Sequence, residues 1–389
     1  MATYMPMQLS ISTKLHGATT PGLGLTPPVT PTIEDRANSS TIPSLLSGTC
    51  SDSEAVSSPP HFLDELAYER DENGRLVTFG DGAWSVVYKA FASSRVINPT
   101  RPFTPPSSPS PNGRLVAVKS PGRGDARPVL YAEALALTRA TYTPGSENYI
   151  VPFLGFINDS SSIVMSAIPL SLSSYIEDKA RIMRQNFTTR TMYDPVLGMP
   201  QWHDLAKKLI KSLDWLHNQA QIVHADIKPQ NILLRPRIRL DDDIESSEFP
   251  YEPLFADFSS SHSISEIQKP SVACLSATTI PFTAPELLSV LKNPDAVPEP
   301  SSDVFSLAVT LLGAATGDIL IYPPGLHPMQ RQMLGQQGHL IISNARQSGN
   351  NGTRVPKNGL VEKLLQPAVA KNPADRITAT AWFDLANAL

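Results

Sequence analysis

The sequence is short of cysteine, of charge of one sign and of long apolar runs, and each shortage excludes a class of protein. Its 389 residues hold 2 cysteines, Cys50 and Cys274, too few for a disulfide framework. That suits a reducing compartment. The formal net charge of -4 offers no basic surface for nucleic acid or an anionic membrane. The longest apolar run, residues 307–317, stops at Asp318 and falls short of a bilayer span. It reads as a buried core helix. No basic-then-apolar leader opens the chain. The expectation is a soluble intracellular protein, cytoplasmic and/or nuclear, with no membrane span and no nucleic-acid partner.

Apolar residues and proline are plentiful instead. The apolar fraction is 41%, enough for a sizeable core. The length suits one large two-lobed domain or two smaller ones. The 37 prolines sit mostly outside the periodic segments. Residues 1–60 are rich in Ser, Thr, Pro and Gly and show no sustained period. They cannot bury enough apolar surface to offset the entropy of ordering, so a disordered tail is expected.

The chain is organised around residues 222–234, I-V-H-A-D-I-K-P-Q-N-I-L-L. Leu205, Leu209, Leu213 and Leu216 recur at helical spacing in the run before it, which predicts a helix over 202–218. Ile232, Leu233 and Leu234 read as a short buried strand. The polar residues between form a loop held by two packed elements. Asp226 can accept a proton, Lys228 can neutralise a phosphate, and Asn231 can offer an oxygen to a hard cation.

This loop resembles the catalytic loop of eukaryotic-type protein kinases, H-R-D-x-K-x-x-N before a strand. Ala225 stands where that family usually has Arg. Further motifs follow in the family's order. Gly80-Asp81-Gly82-Ala83-Trp84-Ser85-Val86-Val87 resembles the glycine-rich loop, with Ser85 in place of the third glycine. Residues 115–119, L-V-A-V-K, resemble the lysine strand, and Glu133 in the expected helix 129–139 matches its partner glutamate. Residues 150–157 and 162–165 read as two strands around a turn. By resemblance Met165 is the gatekeeper beside the adenine pocket, Ser166 to Ile168 are the hinge whose backbone groups would read the adenine edge, and Val87, Ala117 and Leu233 match positions that sandwich the ring. Asp257-Phe258-Ser259 resembles D-F-G, with Ser259 in place of the glycine. Ala284-Pro285-Glu286 resembles A-P-E, Asp303 opens the large buried helix, and Arg376 matches the partner of Glu286.

The resemblance covers roughly residues 75–389. It implies an α+β, two-lobed protein-kinase-like fold, with a small β-rich N-lobe and a larger, mainly helical C-lobe. The kinase domain is expected over residues 61–389, with a short lead-in helix and first strand within 61–76. The N-lobe would take about 75–166 and the C-lobe about 167–389, with inserts at 95–113, 180–200 and 235–252. A helix is expected to start at 171–178. The last insert, with Asp241, Asp242 and Asp243, reads as a solvated hairpin extension.

ATP and Mg2+ are the implied cofactors. Gly80 and Gly82 would cover the phosphates. Lys119, paired with Glu133, would position them, and Asn231 and Asp257 would hold the metal. Asp226 would be the base and Lys228 would steady the γ-phosphate. Thr279 and Lys228 follow the serine/threonine pattern, so protein substrates phosphorylated on Ser or Thr are implied. Without an Arg at 225, a phosphate on Ser260, Ser261, Ser263, Ser276 or Thr278 loses its usual charged partner. Activation-loop phosphate is therefore not expected to be the main switch. Thr20, Thr26, Thr30 and Ser58, each followed by Pro, suit upstream proline-directed kinases acting on the tail. Thr26 and Thr30 also resemble a double phosphodegron, against which a plain Pro-rich linker is preferred. Two other readings stay open. One is a pseudokinase scaffold, carried by Ser85, Ala225 and Ser259. The other is a small-molecule kinase, opposed by Ala284-Pro285-Glu286, Asp303 and Arg376.

Overall fold

The computed structural model describes residues 58–93, 113–186, 188–237, 248–265, 279–288, 296–323, 325–347 and 349–389. The expected tail up to residue 57, nearly all of the insert 95–113, Asp241 to Asp243, Ser276 and Thr278 lie outside the described residues.

The N-terminal half of the fold is a six-stranded antiparallel sheet. Its strands are β1 (Glu65–Tyr68), β2 (Thr78–Asp81), β3 (Ser85–Ser93), β4 (Arg114–Pro121), β5 (Phe153–Ile157) and β6 (Ser162–Ser166). The order is β1-β3-β4-β6-β5, with β2 also paired to β3. Side chains alternate across β4. Val116 and Val118 join Phe62, Ala90, Ala92 and Val164 in a small core on one face. Ala117 and Lys119 therefore share the other face. Val87 pairs with Lys119, and Met165 pairs with Ala117, so register brings all four to that face.

Among the described residues, no helix leads into this sheet. Residues 60–62 run extended beside β5 instead. The Phe62 N–H donates to Phe156 O at 3.0 Å, and the Phe156 N–H donates to Pro60 O at 2.8 Å. The edge of β5 would otherwise leave its backbone groups unpaired, and the strap supplies partners. Phe62 is buried in the small core, which fixes the strap from its side-chain end. The first strand, β1, is where the sequence places one, within 61–76.

Helix α1 (Arg127–Tyr142) packs on the sheet and runs beyond the expected 129–139 at both ends. Pro128 suits its first turn, where no N–H partner is lost. Helix α2 (Leu172–Gln185) is capped by Ser171, whose Oγ accepts the Ser174 N–H. It continues through residues 180–185, which sequence assigned to an irregular insert. Ala180 is buried and the Arg, Ile, Met and Gln that follow are serviceable helix formers, so the helix carries on. Helix α3 (Met199–Asn218) starts earlier than 202, with Pro200 in its first turn.

Beyond α3 come β7 (Ile222–Val223), β8 (Ile232–Pro236), β9 (Tyr251–Phe255) and β10 (His262–Ser263). β8 pairs with β9, and β7 with β10. Helix α4 (Pro300–Thr316) is buried from Ser302 to Thr316, as expected of the apolar run. Gly317 ends it in the left-handed region at φ +72°, with no room for a Cβ against Ala180 and Val196. Helices α5 (Pro328–Gln336), α6 (Ile341–Gln347), α7 (Leu360–Leu365) and α8 (Ala379–Ala388) complete the helical part. None of the described helices is long and apolar enough to cross a membrane. A β-rich N-terminal part and a mainly helical C-terminal part make the two-lobed fold.

Candidate active site

The loop after β7 is fixed from below by α4. Asp303 Oδ2 accepts the His224 N–H at 2.7 Å, and Oδ1 accepts the Ala225 N–H at 2.9 Å. His217 Nε2 lies 3.0 Å from Oδ2. Burial alone would raise the Asp303 carboxyl, but the hydrogen bond and charge of His217 outweigh it and hold it below its ordinary value. Ala225 is held at φ +66°, an uncommon conformation for a residue with a Cβ. The His224 ring packs against Phe258, with centroids 4.8 Å apart.

Above this anchor, Asp226 Oδ2 accepts from Lys228 Nζ at 2.7 Å and from Asn231 Nδ2 at 2.9 Å. Among the described residues, nothing donates to Asp226 Oδ1. That oxygen is left to meet a hydroxyl. Burial raises the Asp226 carboxyl, and Lys228 offsets only part of the rise, so it is a better base than an ordinary Asp. Lys228 Nζ also reaches Thr279 Oγ1 at 3.3 Å, which ties the segment before Ala284-Pro285-Glu286 to the loop.

Lys119 is 5% exposed and Glu133 is 2% exposed. A buried ammonium needs anionic partners, and Lys119 Nζ has two. It lies 2.7 Å from both Glu133 oxygens and 2.8 Å from Asp257 Oδ1. One cation thus serves two carboxylates. Burial opposes charge on all three. For Asp257, Lys119 and a hydrogen bond from Ser259 overcome it and hold the carboxyl well below its usual range. Glu133 is the loser: burial pushes it up to about 7 despite Lys119. The surplus negative charge suits a site that receives a cation together with phosphates.

The donor set fits Mg2+. Asp257 uses only Oδ1 toward the described residues, so Oδ2 is spare. Asn231 uses its Nδ2 on Asp226, which leaves its amide oxygen. Two hard oxygens suit a hard cation that keeps other ligands from phosphate and water. No group of three or more His, Cys, Asp or Glu among the described residues forms a self-sufficient metal site.

The residues expected to line the adenine slot are only partly covered, except Ala117, which is buried. Val87, Met165, Ile168 and Leu233 are half-buried, although they adjoin fully buried positions. Half-burial on one face suits walls of an open slot. Among the described residues, none bonds the Ile168 backbone N–H, so it is available to a ligand edge. Gly80 has open space where a Cβ would stand, and a Cβ on Gly82 would meet only Ser85 O, at 3.8 Å. Crowding within the chain therefore does not require these glycines; approach of a ligand would.

Two features escaped sequence reasoning. Trp84, at the tip of the glycine loop, packs against the main core and lies under the Arg123 guanidinium, 4.1 Å from the ring centroid. Ser259 Oγ donates to Asp257 Oδ1 at 2.7 Å. The signal for the second was present, as a hydroxyl where the resemblance has glycine. Glu286 and Arg376 form a two-pronged pair, at 2.8 and 2.7 Å, beneath the 3-10 turn Pro285–Leu288. A cavity of about 270 Å³ elsewhere in the helical part is lined by none of the site residues.

The comparisons with known proteins agree with this geometry. The chain is 26% identical over 266 residues to human mitogen-activated protein kinase kinase kinase 5, which covers 68% of this chain and 16% of that protein. It is 24% identical over 277 residues to dual specificity mitogen-activated protein kinase kinase 1 of Dictyostelium discoideum, covering 70% of this chain and 33% of that protein. It is 22% identical over 321 residues to serine/threonine-protein kinase ATG1 of Debaryomyces hansenii, covering 78% and 33%. The chain spans a third or less of the length of these relatives. The pattern of the protein kinase domain matches residues 112–385, so Gly80, Gly82 and Val87 lie ahead of the matched stretch. The chain belongs to the protein kinase domain family.

Proposed function

We propose that this protein is an active serine/threonine protein kinase that transfers the γ-phosphate of ATP to protein hydroxyls. The observation that carries the reading is the state of Asp226. One of its oxygens is fixed by Lys228 and Asn231, and among the described residues nothing donates to the other. In transfer, the substrate hydroxyl oxygen forms a bond to the γ-phosphorus while the bond from that phosphorus to the β-bridging oxygen breaks. Asp226 orients the hydroxyl and receives its proton, and ADP leaves. Lys228 balances charge on the phosphoryl in transit. Lys119 holds the α- and β-phosphates, supported by Glu133. Asn231 and Asp257 would hold Mg2+, which when bound supplies positive charge to the β- and γ-phosphates. Most of the acceleration is positioning and preset electrostatics.

The contact of Lys228 with Thr279 supports a serine/threonine preference. Protein substrates, rather than small molecules, are supported by the built platform of Glu286, Arg376 and Asp303. The test is a degenerate peptide library with Ser, Thr or Tyr as sole acceptor, supplied with Mg-ATP. Incorporation on Ser or Thr supports the reading, and incorporation on Tyr alone overturns the preference. The competing reading is a scaffold that binds nucleotide without transfer. It is favoured by the departures from the family pattern at Ser85, Ala225 and Ser259. Nucleotide binding with no phosphate on any acceptor would select it.

A further inference from the structure

Ser259 follows Asp257 and Phe258, at the position the resemblance gives to glycine. The backbone explains why glycine is dispensable. In this segment the left-handed residue is Asp257, at φ +62°, and Ser259 is not among the positive-φ residues. A side chain is therefore tolerated, and this one has a partner. Ser259 Oγ donates to Asp257 Oδ1 at 2.7 Å, and the Ser259 N–H approaches the same oxygen at 3.4 Å. Lys119 Nζ is the third donor there, at 2.8 Å. Asp257 Oδ2 receives nothing from the described residues, and the Asp257 side chain is 39% exposed.

The three donors on Oδ1 differ in permanence. Lys119 divides its N–H groups among Glu133 and Asp257. Phosphate oxygens are strong competitors for an ammonium, so a nucleotide draws Lys119 away from Asp257. The Ser259 bond is local, two residues along the chain, and has no reason to break. The Ser259 N–H alone is long and weak. A carboxylate with one oxygen clamped by a short hydroxyl bond keeps its other oxygen aimed in one direction. A metal centre gains from such outer-shell hydrogen bonds, because they orient the ligand before the metal arrives.

We propose that Ser259 is a positioning residue for the cation-binding carboxylate: its hydroxyl fixes Asp257 Oδ1 so that Oδ2 stays presented to the divalent cation of a bound nucleotide. The proposal rests on the reading of this cleft as a Mg-nucleotide site. It also gives Ser259 a role opposite to that of a degraded motif. The hydroxyl supplies by hydrogen bonding what the chain lacks in a free backbone.

The test uses the full chain and calorimetric titration of ADP at a series of Mg2+ concentrations. Wild type is compared with Ser259→Ala, Ser259→Gly and Ser259→Thr. Loss of one charge-assisted hydrogen bond should raise the half-saturating Mg2+ about 3- to 10-fold in the Ala and Gly variants. ADP affinity without Mg2+ and the melting temperature should stay at wild-type values. Thr keeps the hydroxyl and should restore the wild-type Mg2+ dependence. Unchanged Mg2+ dependence in the Ala variant overturns the proposal while leaving the site reading intact. A Thr variant as poor as Ala also overturns it, because bulk rather than the hydroxyl would then matter. Wild-type ADP binding that ignores Mg2+ altogether overturns the site reading itself, and the proposal with it.

Discussion

Asp303 Oδ1 accepts the backbone N–H of Ala225 at 2.9 Å, and Ala225 sits at φ +66° under that bond. The loop that presents Asp226 is thus held in an uncommon conformation by a carboxylate on α4. The left-handed region costs an L-residue roughly 1–2 kcal/mol. Glycine escapes that cost, and a β-branched residue suffers more. Ala225→Gly should leave folding stability unchanged or raise it by up to about 1 kcal/mol, and Ala225→Val should lower it by about 1–2 kcal/mol. Asp303→Asn breaks a buried network from one side and should cost about 3 kcal/mol. Denaturant unfolding of the three variants checks the order. Ala225→Arg should not be required for transfer; if only that variant transfers phosphate, the natural chain is a pseudokinase.

The shared Lys119 makes a pH signature. Burial pushes the Glu133 carboxyl from an ordinary 4.5 up to about 7, although Lys119 pulls it down. A carboxyl that titrates higher in the folded state holds its proton more tightly there. Its contribution to stability is complete below about 4.5 and fades as pH rises through about 7. Asp226 is raised too and acts in the same direction. Asp257 and Asp303 are lowered from 3.8, and their contributions are lost only at more acidic pH. As pH falls from about 7.5 to about 5 the melting temperature should therefore rise, and Glu133→Gln should flatten that rise. An identical slope in the variant would show that Glu133 is not the titrating group.

The strap beside β5 depends on Gly155. Its φ is +147°, and a Cβ there would lie 2.9 Å from Phe62 N and 3.0 Å from Phe62 Cα. Both atoms are backbone and cannot simply turn aside. Gly155→Ala should cost about 2–3 kcal/mol, by strain and by dislodging Phe62. Amide exchange should quicken at Phe156, whose N–H donates to Pro60 O. Unchanged exchange at Phe156 with full stability would mean that the strap yields without cost.

Arg376 donates two bonds to Glu286 and others to Ser301 O and Ala370 O. Arg376→Met leaves Glu286 without its cation and should destabilise the fold by about 3–5 kcal/mol. Exchanging both partners, with Glu286→Leu added, should recover part of the loss. No recovery would place the energy in the backbone bonds of Arg376 rather than in the pair.

The candidate site was legible in the sequence because the chemistry it resembles fixes residue types at fixed spacing. Asp226, Lys228 and Asn231 lie within one loop, and Asp257 and Lys119 end recognisable apolar strands. The structure joins Lys119 to Asp257, and Asp226 to Lys228 and Asn231. The periodic helices were legible for the same reason, from Leu205 to Leu216 and across residues 307–317. What escaped notice depends on contacts distant in sequence or on ambiguous local preference. Phe62 reads as a lone aromatic until β5 is beside it. Arg123 over Trp84 joins two loops about forty residues apart. Residues 180–185 have ordinary helix-forming chemistry but lack a clear apolar stripe, so the continuation of α2 showed only in its packing. Ser259 was read as a missing glycine, when its hydroxyl has a bond of its own.

Asp226 is proposed to act in the chemistry without being needed for the fold. The direct measurement is transfer of labelled γ-phosphate from Mg-ATP to a Ser/Thr peptide library by the purified chain, beside Asp226→Asn. Wild type should incorporate phosphate, and the variant should incorporate at least about a hundredfold less, the range of a positioned base. Nucleotide binding and melting temperature should be kept. No transfer by wild type with nucleotide still bound, or equal transfer by the two proteins, would contradict this role for Asp226.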